Sequence, residues 1–559
     1  MATSPRPLLA GALACLLLAG CLQPEVQSED SEPLSPAQEA PLGAVLSEIA
    51  PVVAALVPTD CLSGVGSIDL QRATIADIQA ALAGGEVTSA GLVGAYLARF
   101  LAFDEGGPAL NSVQAIHPAA REQAVALDAE RAAGRIRGPL HGIPILLKDN
   151  VGTNDMPTTA GSVALAENVP PQDATLTARL REAGAIILGK TQLSEFANWV
   201  SLRMPNGYSS LGGQVVNAYT GGDPSGSSSG SGVAGSMALA AATIGTETSG
   251  SILSPSNANS LVGVKPTMGL VSRAGVIPLA ANFDVPGPMT RTVWDAAAVL
   301  SAIAGPDPRD PATAASAEHL PPGGDYAAAL GPDALAGARI GFVPRNNELF
   351  VRALEDLERL GAVLVPIQDS NARYVALTEI GLIFNEFKFG INRYLAEEAG
   401  PGLPVKTLTD IILFNQRHPD QVKYGQDLLV ASEATPGSGS IADTAAIPTI
   451  TGSRAVADDL FRANGVDAIV GPNAPYTNLG AAAGYPTVTV PSGYNGRTPQ
   501  GLSFFGPAWS EARLLGFAYA YEQGSQRREA PTAINPSLLV GICPPAEALE
   551  TVVNVTARP

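Results

Sequence analysis

Apolar and polar positions along this chain alternate between two periodicities, one of helices and one of buried strands. Thr74–Leu82 and Ser89–Phe100 read as helices; in the second, Thr88 or Ser89 offers a cap and Leu92, Val93, Tyr96, Leu97 and Phe100 form one apolar face. Ser112–Ile116 reads as a short strand, and Ala119–Ala133 as an amphipathic helix stopped at Gly134. Gly142–Leu147 is almost wholly apolar, as expected of a strand covered on both faces in a mixed or parallel sheet. Helix then buried strand recurs three times. The pairs are Leu176–Ala183 with Ile186–Gly189, Val351–Leu360 (itself preceded by a strand at Arg339–Val343) with Val363–Pro366, and Val456–Asn464 with Ala468–Val470. This order predicts an α/β fold with helices on both faces of the sheet. No internal repeat or heptad run interrupts it. Pro306–Gly324, rich in Pro, Asp and Gly, reads as a surface connection rather than a domain boundary.

Composition narrows the class. The 559 residues are 46% apolar and 15% charged, enough material for a large interior. A formal net charge of −19 argues against a nucleic-acid partner, because phosphate binding needs clustered Lys and Arg. At the N-terminus Arg6 precedes an apolar run, Leu8–Ala19, shorter than the roughly 20 residues of a membrane-spanning helix. Leu18-Ala-Gly-Cys21 follows and resembles the bacterial lipobox. That resemblance implies a signal peptide over 1–20 and lipidation at Cys21. Residues 21–66 would then be a lipidated, acidic spacer holding a single catalytic domain, 67–559, off the membrane. The expected location is exported and lipid-anchored at a bacterial membrane. Cys61 and Cys543 would remain, either as a disulfide or as two separate thiols.

Chemistry concentrates in three segments. Asp223-Pro-Ser-Gly-Ser227-Ser-Ser-Gly-Ser-Gly232 and Gly245-Thr-Glu-Thr-Ser-Gly-Ser251-Ile each place a serine in a small-residue loop, with an apolar, helix-like stretch Val233–Thr243 between them. Such loops let backbone N–H groups converge on an oxyanion. Upstream, the apolar strand ends in Lys148-Asp149-Asn150, and a lysine desolvated there is a candidate base. Rival chemistries fit less well. Gly226-Ser-Ser228-Ser-Gly230 satisfies the nucleophile-elbow pattern of α/β-hydrolases, but only His319 and His418 follow it. His117, His141, His319 and His418 make no helix-spaced metal pair, and no Gly-Lys-Ser/Thr element marks a phosphate cradle. Neither a metal nor an organic cofactor is expected.

The serine loops and lysine strand, with Leu261-Val-Gly-Val-Lys-Pro-Thr-Met-Gly-Leu-Val-Ser-Arg-Ala-Gly-Val-Ile-Pro278, Gly287-Pro-Met-Thr-Arg-Thr-Val-Trp-Asp295 and Ala483-Gly-Tyr-Pro486, resemble the amidase signature family. Asn206-Gly-Tyr-Ser, Phe384-Asn-Glu-Phe-Lys-Phe and Trp509-Ser-Glu-Ala lean toward its bacterial peptide amidases. The resemblance implies a large mixed sheet sandwiched between helices (α/β/α) and a Ser–Ser–Lys triad: Lys148 as base, Ser227 as bridge, Ser251 as nucleophile. It also implies an oxyanion hole from the backbone of Thr248, Ser249, Gly250 and Ser251. Tyr208, Phe384 and Phe387 are candidates for a substrate pocket, while Glu247, Arg273, Asp284 and Arg291 suit ion-pair or hydrogen-bond roles. Ser249 departs from the family, where Gly or Asp is usual, and so does Ile252-Leu-Ser-Pro-Ser-Asn-Ala-Asn259. The expected activity is hydrolysis of linear carboxamides, peptide C-terminal amides foremost, through an acyl-enzyme. The alternatives are a catalytically silent binding lipoprotein and an aryl/acyl amidase-esterase. The subunit that amidates charged transfer RNA shares the motifs, but the charge and export signal disfavour it.

Overall fold

Local capping fixes where the first helices begin. Thr74 accepts the N–H of Asp77 while the Asp77 carboxylate accepts the Thr74 N–H, a reciprocal box that opens the helix Ile75–Gly84. Thr88 does the same service for Ser89–Arg99, accepting the N–H of Gly91 at 3.0 Å. The expected apolar face, Leu92, Val93, Tyr96, Leu97 and Phe100, is buried throughout. These elements belong to a computed structural model that describes residues 64–368, 372–437, 439–540 and 542. Cys21, the acidic spacer up to residue 63, Cys61 and Cys543 lie outside the described residues.

One mixed sheet organises the molecule. Its strands are β1 (Val113–Ile116), β2 (Pro144–Lys148), β3 (Ile186–Thr191), β4 (Ala242–Glu247), β5 (Val262–Lys265) and β6 (Val285–Thr290). Then come β7 (Arg339–Phe342), β8 (Val363–Pro366), β9 (Ala468–Pro472), β10 (Thr487–Asn495) and β11 (Thr498–Phe505). The 11 strands lie in the order β8-β7-β9-β11-β10-β5-β6-β4-β2-β3-β1. Two parallel groups, β8-β7-β9 and β4-β2-β3, flank an antiparallel middle, and β1 closes one edge antiparallel to β3. The fold is α/β with a large mixed sheet between helices, as the resemblance implied. The alternation of helix and strand produces each parallel group, since parallel neighbours need a crossover between them.

Every residue of β2, β3 and β4 is buried, which explains the apolar runs Pro144–Leu147 and Ile186–Leu188. Their side chains join the main core with Ile145, Leu147, Ile187, Ile244, Val264 and Leu300. A second apolar cluster gathers Phe196, Trp199, Ile277, Leu279, Phe387 and Ile411 around the long helix Ala372–Glu397.

Two expectations change. The apolar stretch Val233–Thr243 is not one helix: the helix Ser229–Ser236 ends, Ala238 turns at φ 52°, and β4 begins at Ala242. A short apolar run reads equally as either element, and burial between β2 and β6 selects the strand. Pro306–Gly324 is more than a surface connection. Asp310 pairs with Arg273 at 2.6 Å, and Asp307 accepts the hydroxyls of Ser272 at 2.5 Å and Thr175 at 2.6 Å. These two buried carboxylates pin the segment to the body of the protein.

Candidate active site

Parallel neighbours point their carboxyl ends the same way, and in α/β sheets that end is where ligands bind. β2 and β4 pair in parallel with Leu147 opposite Ile244, so Lys148 and the loop after Glu247 emerge together. Lys148 is fully buried. Its Nζ lies 2.8 Å from Ser227 Oγ, 2.9 Å from Thr246 Oγ1 and 3.2 Å from the Thr246 carbonyl. Burial pushes the amine down to about 7, although the Asp284 and Glu247 carboxylates nearby pull it back up. Asn150 Nδ2 donates to the same Thr246 hydroxyl at 3.0 Å, so Asn150, Thr246 and Lys148 form one chain of contacts.

Ser227 is fully buried too, two residues ahead of the helix Ser229–Ser236, behind a cis Gly226–Ser227 peptide. Its carbonyl accepts the Ser194 N–H at 3.0 Å. A Cβ at Gly226 would stand 2.7 Å from Ser194 Oγ, so a larger residue would displace that side chain. The neighbouring serines are occupied with backbone carbonyls. Ser228 donates to Thr246 at 3.1 Å, Ser229 to Ser225 at 2.5 Å, and Ser231 to Ile244 at 2.9 Å.

Side chains from elsewhere hold the loop Thr248–Ser251 in place. Glu247 Oε2 accepts the N–H groups of Ile252 at 2.8 Å and Leu253 at 2.9 Å. The Thr248 hydroxyl donates to Asp284 Oδ1 at 2.5 Å, and Ser249 Oγ donates to Asn478 Oδ1 at 3.1 Å. Gly250 sits at φ 86°, where a side chain is strained, and a Cβ there would meet Thr477 Cγ2 at 3.0 Å. Among the described residues, none of the backbone N–H groups of Thr248, Ser249, Gly250 and Ser251 finds an acceptor. Four N–H donors left open in one turn suit a developing oxyanion. Ser251 retains 8% exposure, whereas Lys148 and Ser227 have none; its carbonyl accepts the Ser228 N–H at 3.2 Å, which joins the two serine loops.

A cleft opens beside this cluster. Ala197, Val276, Ile277 and Leu279 form its apolar wall, and Asn150, Thr246, Thr248 and Asp284 its polar one. Asp284 and Arg273, expected only as structural partners, both line it; Arg291 instead donates to the Ala240 carbonyl at 2.9 Å. The aromatic candidates lie apart from it. Tyr208 packs edge-to-face on Tyr424 at 4.7 Å and Phe384 packs on Trp199 at 4.8 Å. Phe387 is fully buried against Phe196 in the second cluster. Sequence reading passed over Asn150 and Thr246 as contributors. The signal was present in the Lys148-Asp149-Asn150 and Gly245-Thr246-Glu247 runs, since residues adjoining a buried amine must satisfy its hydrogens.

The rival chemistries find no footing among the described residues. His319 stacks on Trp509 and His418 on Phe414, and neither meets Ser228. No group of three or more His, Cys, Asp or Glu is placed to hold a metal ion.

Comparison with known proteins places the chain in a family. The Amidase family model matches residues 92–481. A probable amidase of Arabidopsis thaliana is 40% identical over 482 residues, 84% of this chain and 93% of the plant protein. The native peptide amidase of Stenotrophomonas maltophilia is 44% identical with a TM-score of 0.77, covering 82% of this chain and 98% of that one. A peptide amidase solved with the competitive inhibitor chymostatin is also 44% identical, with a TM-score of 0.78 over 82% of this chain and 99% of that one.

One expectation is corrected by these matches. The N-terminal motif placed the protein as exported and lipid-anchored at a bacterial membrane through Cys21. Curated relatives matching more than four-fifths of the chain include a plant probable amidase and fungal putative amidases. A short apolar run ending in a cysteine is weak evidence beside matches over most of the chain, and the lipid-anchored placement is withdrawn. The motifs, the sheet order and the matched relatives agree on identity: this chain belongs to the amidase family and is an amide-hydrolysing enzyme.

Proposed function

We propose that the protein hydrolyses linear carboxamides, with peptide C-terminal amides as the leading substrate class, through a Lys148–Ser227–Ser251 relay in a single catalytic domain over residues 67–559. The observation that carries the reading is the 2.8 Å contact between Ser227 Oγ and a buried Lys148 amine held down to about 7. A neutral amine has one lone pair and two hydrogens. The Thr246 carbonyl can only accept, so it takes one hydrogen and leaves the lone pair free to receive the Ser227 proton.

The chemistry then balances. Ser251 Oγ attacks the carboxamide carbon and its proton passes to Ser227, whose own proton moves to Lys148. Negative charge on the former carbonyl oxygen falls to the N–H groups of Thr248–Ser251. Lys148, now an ammonium, returns a proton through Ser227 to the leaving nitrogen, the C–N bond breaks, and an acyl-enzyme remains. Water releases the acid along the same route.

The 44% identity to the Stenotrophomonas maltophilia peptide amidase supports the choice of peptide amides over other carboxamides. Purified protein assayed against peptide, aryl and aliphatic amides, with fluorophosphonate labelling in parallel, tests the proposal. Turnover greatest on peptide amides together with a label on Ser251 supports it. No label and no turnover would instead favour a silent binding protein.

A further inference from the structure

Asn150 is 4% exposed and stands in the wall of the cleft next to Ile277 and Thr246. Its position is fixed twice. The main-chain carbonyl accepts the Ile277 N–H at 2.8 Å, and Nδ2 donates to Thr246 Oγ1 at 3.0 Å. The side-chain oxygen Oδ1, however, is buried with no hydrogen-bond partner. An unmet buried acceptor costs about 1–3 kcal/mol, and most such atoms in folded proteins are satisfied. The nearby donors of the cleft are committed elsewhere, Arg273 to Asp310 and the Ala281 carbonyl and Thr248 to Asp284, and the side chains of Ala197, Val276, Ile277 and Leu279 are apolar.

We infer that Asn150 is a substrate-recognition residue whose side-chain oxygen accepts an N–H hydrogen of the bound amide. The inference rests on the carboxamide reading and deepens it. A peptide amide carries two kinds of N–H within reach of such a group: the scissile –NH2 and the N–H of the residue that supplies the acyl carbon. Both present the same donor chemistry. An ester lacks the first and a depsipeptide lacks the second, so either leaves Asn150 Oδ1 unpaired, and a site built around a hydrogen bond discriminates strongly against a ligand that cannot make it.

The test compares wild type, Asn150→Ala and Asn150→Asp on three substrates: N-acetyl-alaninamide, O-acetyl-lactamide and N-acetyl-alanine methyl ester. In Asn150→Ala the preference for the parent, as a ratio of kcat/KM, is expected to fall at least about tenfold against one analogue, and in Asn150→Asp to stay within about threefold. Asp keeps an acceptor oxygen in the same place. Collapse of the lactamide ratio assigns the acyl N–H, and collapse of the ester ratio assigns the carboxamide. Loss of folding or of Lys148 function lowers all three substrates together and leaves the ratios unchanged, and unchanged ratios in Asn150→Ala overturn the inference. Absence of turnover of both carboxamides, N-acetyl-alaninamide and O-acetyl-lactamide, by the wild type removes the carboxamide reading itself, and this inference with it.

Discussion

Thr248 gives its hydroxyl hydrogen to Asp284 Oδ1 across 2.5 Å, tying the loop after β4 to the turn that leads into β6. The other Asp284 oxygen accepts the N–H groups of Leu279 at 2.8 Å and Ala280 at 2.9 Å, so the carboxylate is itself immobilised. Oxyanion donors act only when held still, because any reorganisation in the transition state subtracts from their effect. Thr248→Val should therefore lower kcat by about tenfold or more with little change in KM, since the bond positions donors rather than substrate. Steady-state kinetics check this, and a rise in KM at constant kcat would contradict it.

The same carboxylate acts on Lys148 through space. A buried amine held down to about 7 is half protonated there, so kcat/KM should rise with pH and level off above that value. Asp284 and Glu247 both pull the amine upward, Asp284 more strongly. Removing one negative charge makes the ammonium harder to form, and Asp284→Asn should move the acid limb of the profile to lower pH. Lys148→Ala should cost about 10²–10⁴-fold in kcat. A profile flat from pH 5 to 9, or an acid limb that moves upward in Asp284→Asn, would contradict the assignment.

Ser251→Ala should abolish both turnover and fluorophosphonate labelling, because Ser228, Ser229 and Ser231 give their hydroxyls to backbone carbonyls, Ser249 gives its own to Asn478, and Ser227 is fully buried. Ser227→Ala should retain slow acylation, since a water in the vacated volume could pass the proton on. Intact-protein mass after labelling separates the two variants. Equal label on wild type and Ser251→Ala would remove Ser251 as nucleophile.

Much of this was legible in residue order alone. The helix-then-strand alternation foretold the α/β sheet, and the three motif loops foretold which strand ends meet, because parallel neighbours such as β2 and β4 must open at the same end. Boundaries failed where apolar content is uniform: Val233–Thr243 carries no polar stripe to separate the helix from the buried strand that follows. The cleft was less legible still. Asn150 and Asp284 lie on different strands or turns, and only the register of β2, β4 and β6 brings them to one cavity. Aromatic residues attracted attention as pocket candidates, yet the cleft wall is aliphatic, and Phe387 packs where bulk is needed to cover Phe196.

Glu195 offers a stability readout near the site that is independent of chemistry. It precedes three successive residues in left-handed conformation, Phe196 at φ 45°, Ala197 at 57° and Asn198 at 73°, and Ala197 lines the cleft. Such a run costs free energy and persists only where its surroundings fix it. Glu195 helps to do so by accepting the Ser210 N–H at 2.7 Å. Burial pushes its carboxyl from an ordinary 4.5 up to about 7. The folded state thus holds this proton more tightly than the unfolded chain, so the stabilisation is complete below about 4.5 and is lost as pH rises through about 7. Above that the protein carries a buried carboxylate, at a cost of about 3 kcal/mol. Glu195→Gln keeps an acceptor for Ser210 and never ionises. Its thermal unfolding should therefore gain on the wild type between pH 5 and pH 8, and a difference in Tm that stays constant across that range would show that the carboxyl is open to water and titrates as it does in the unfolded chain.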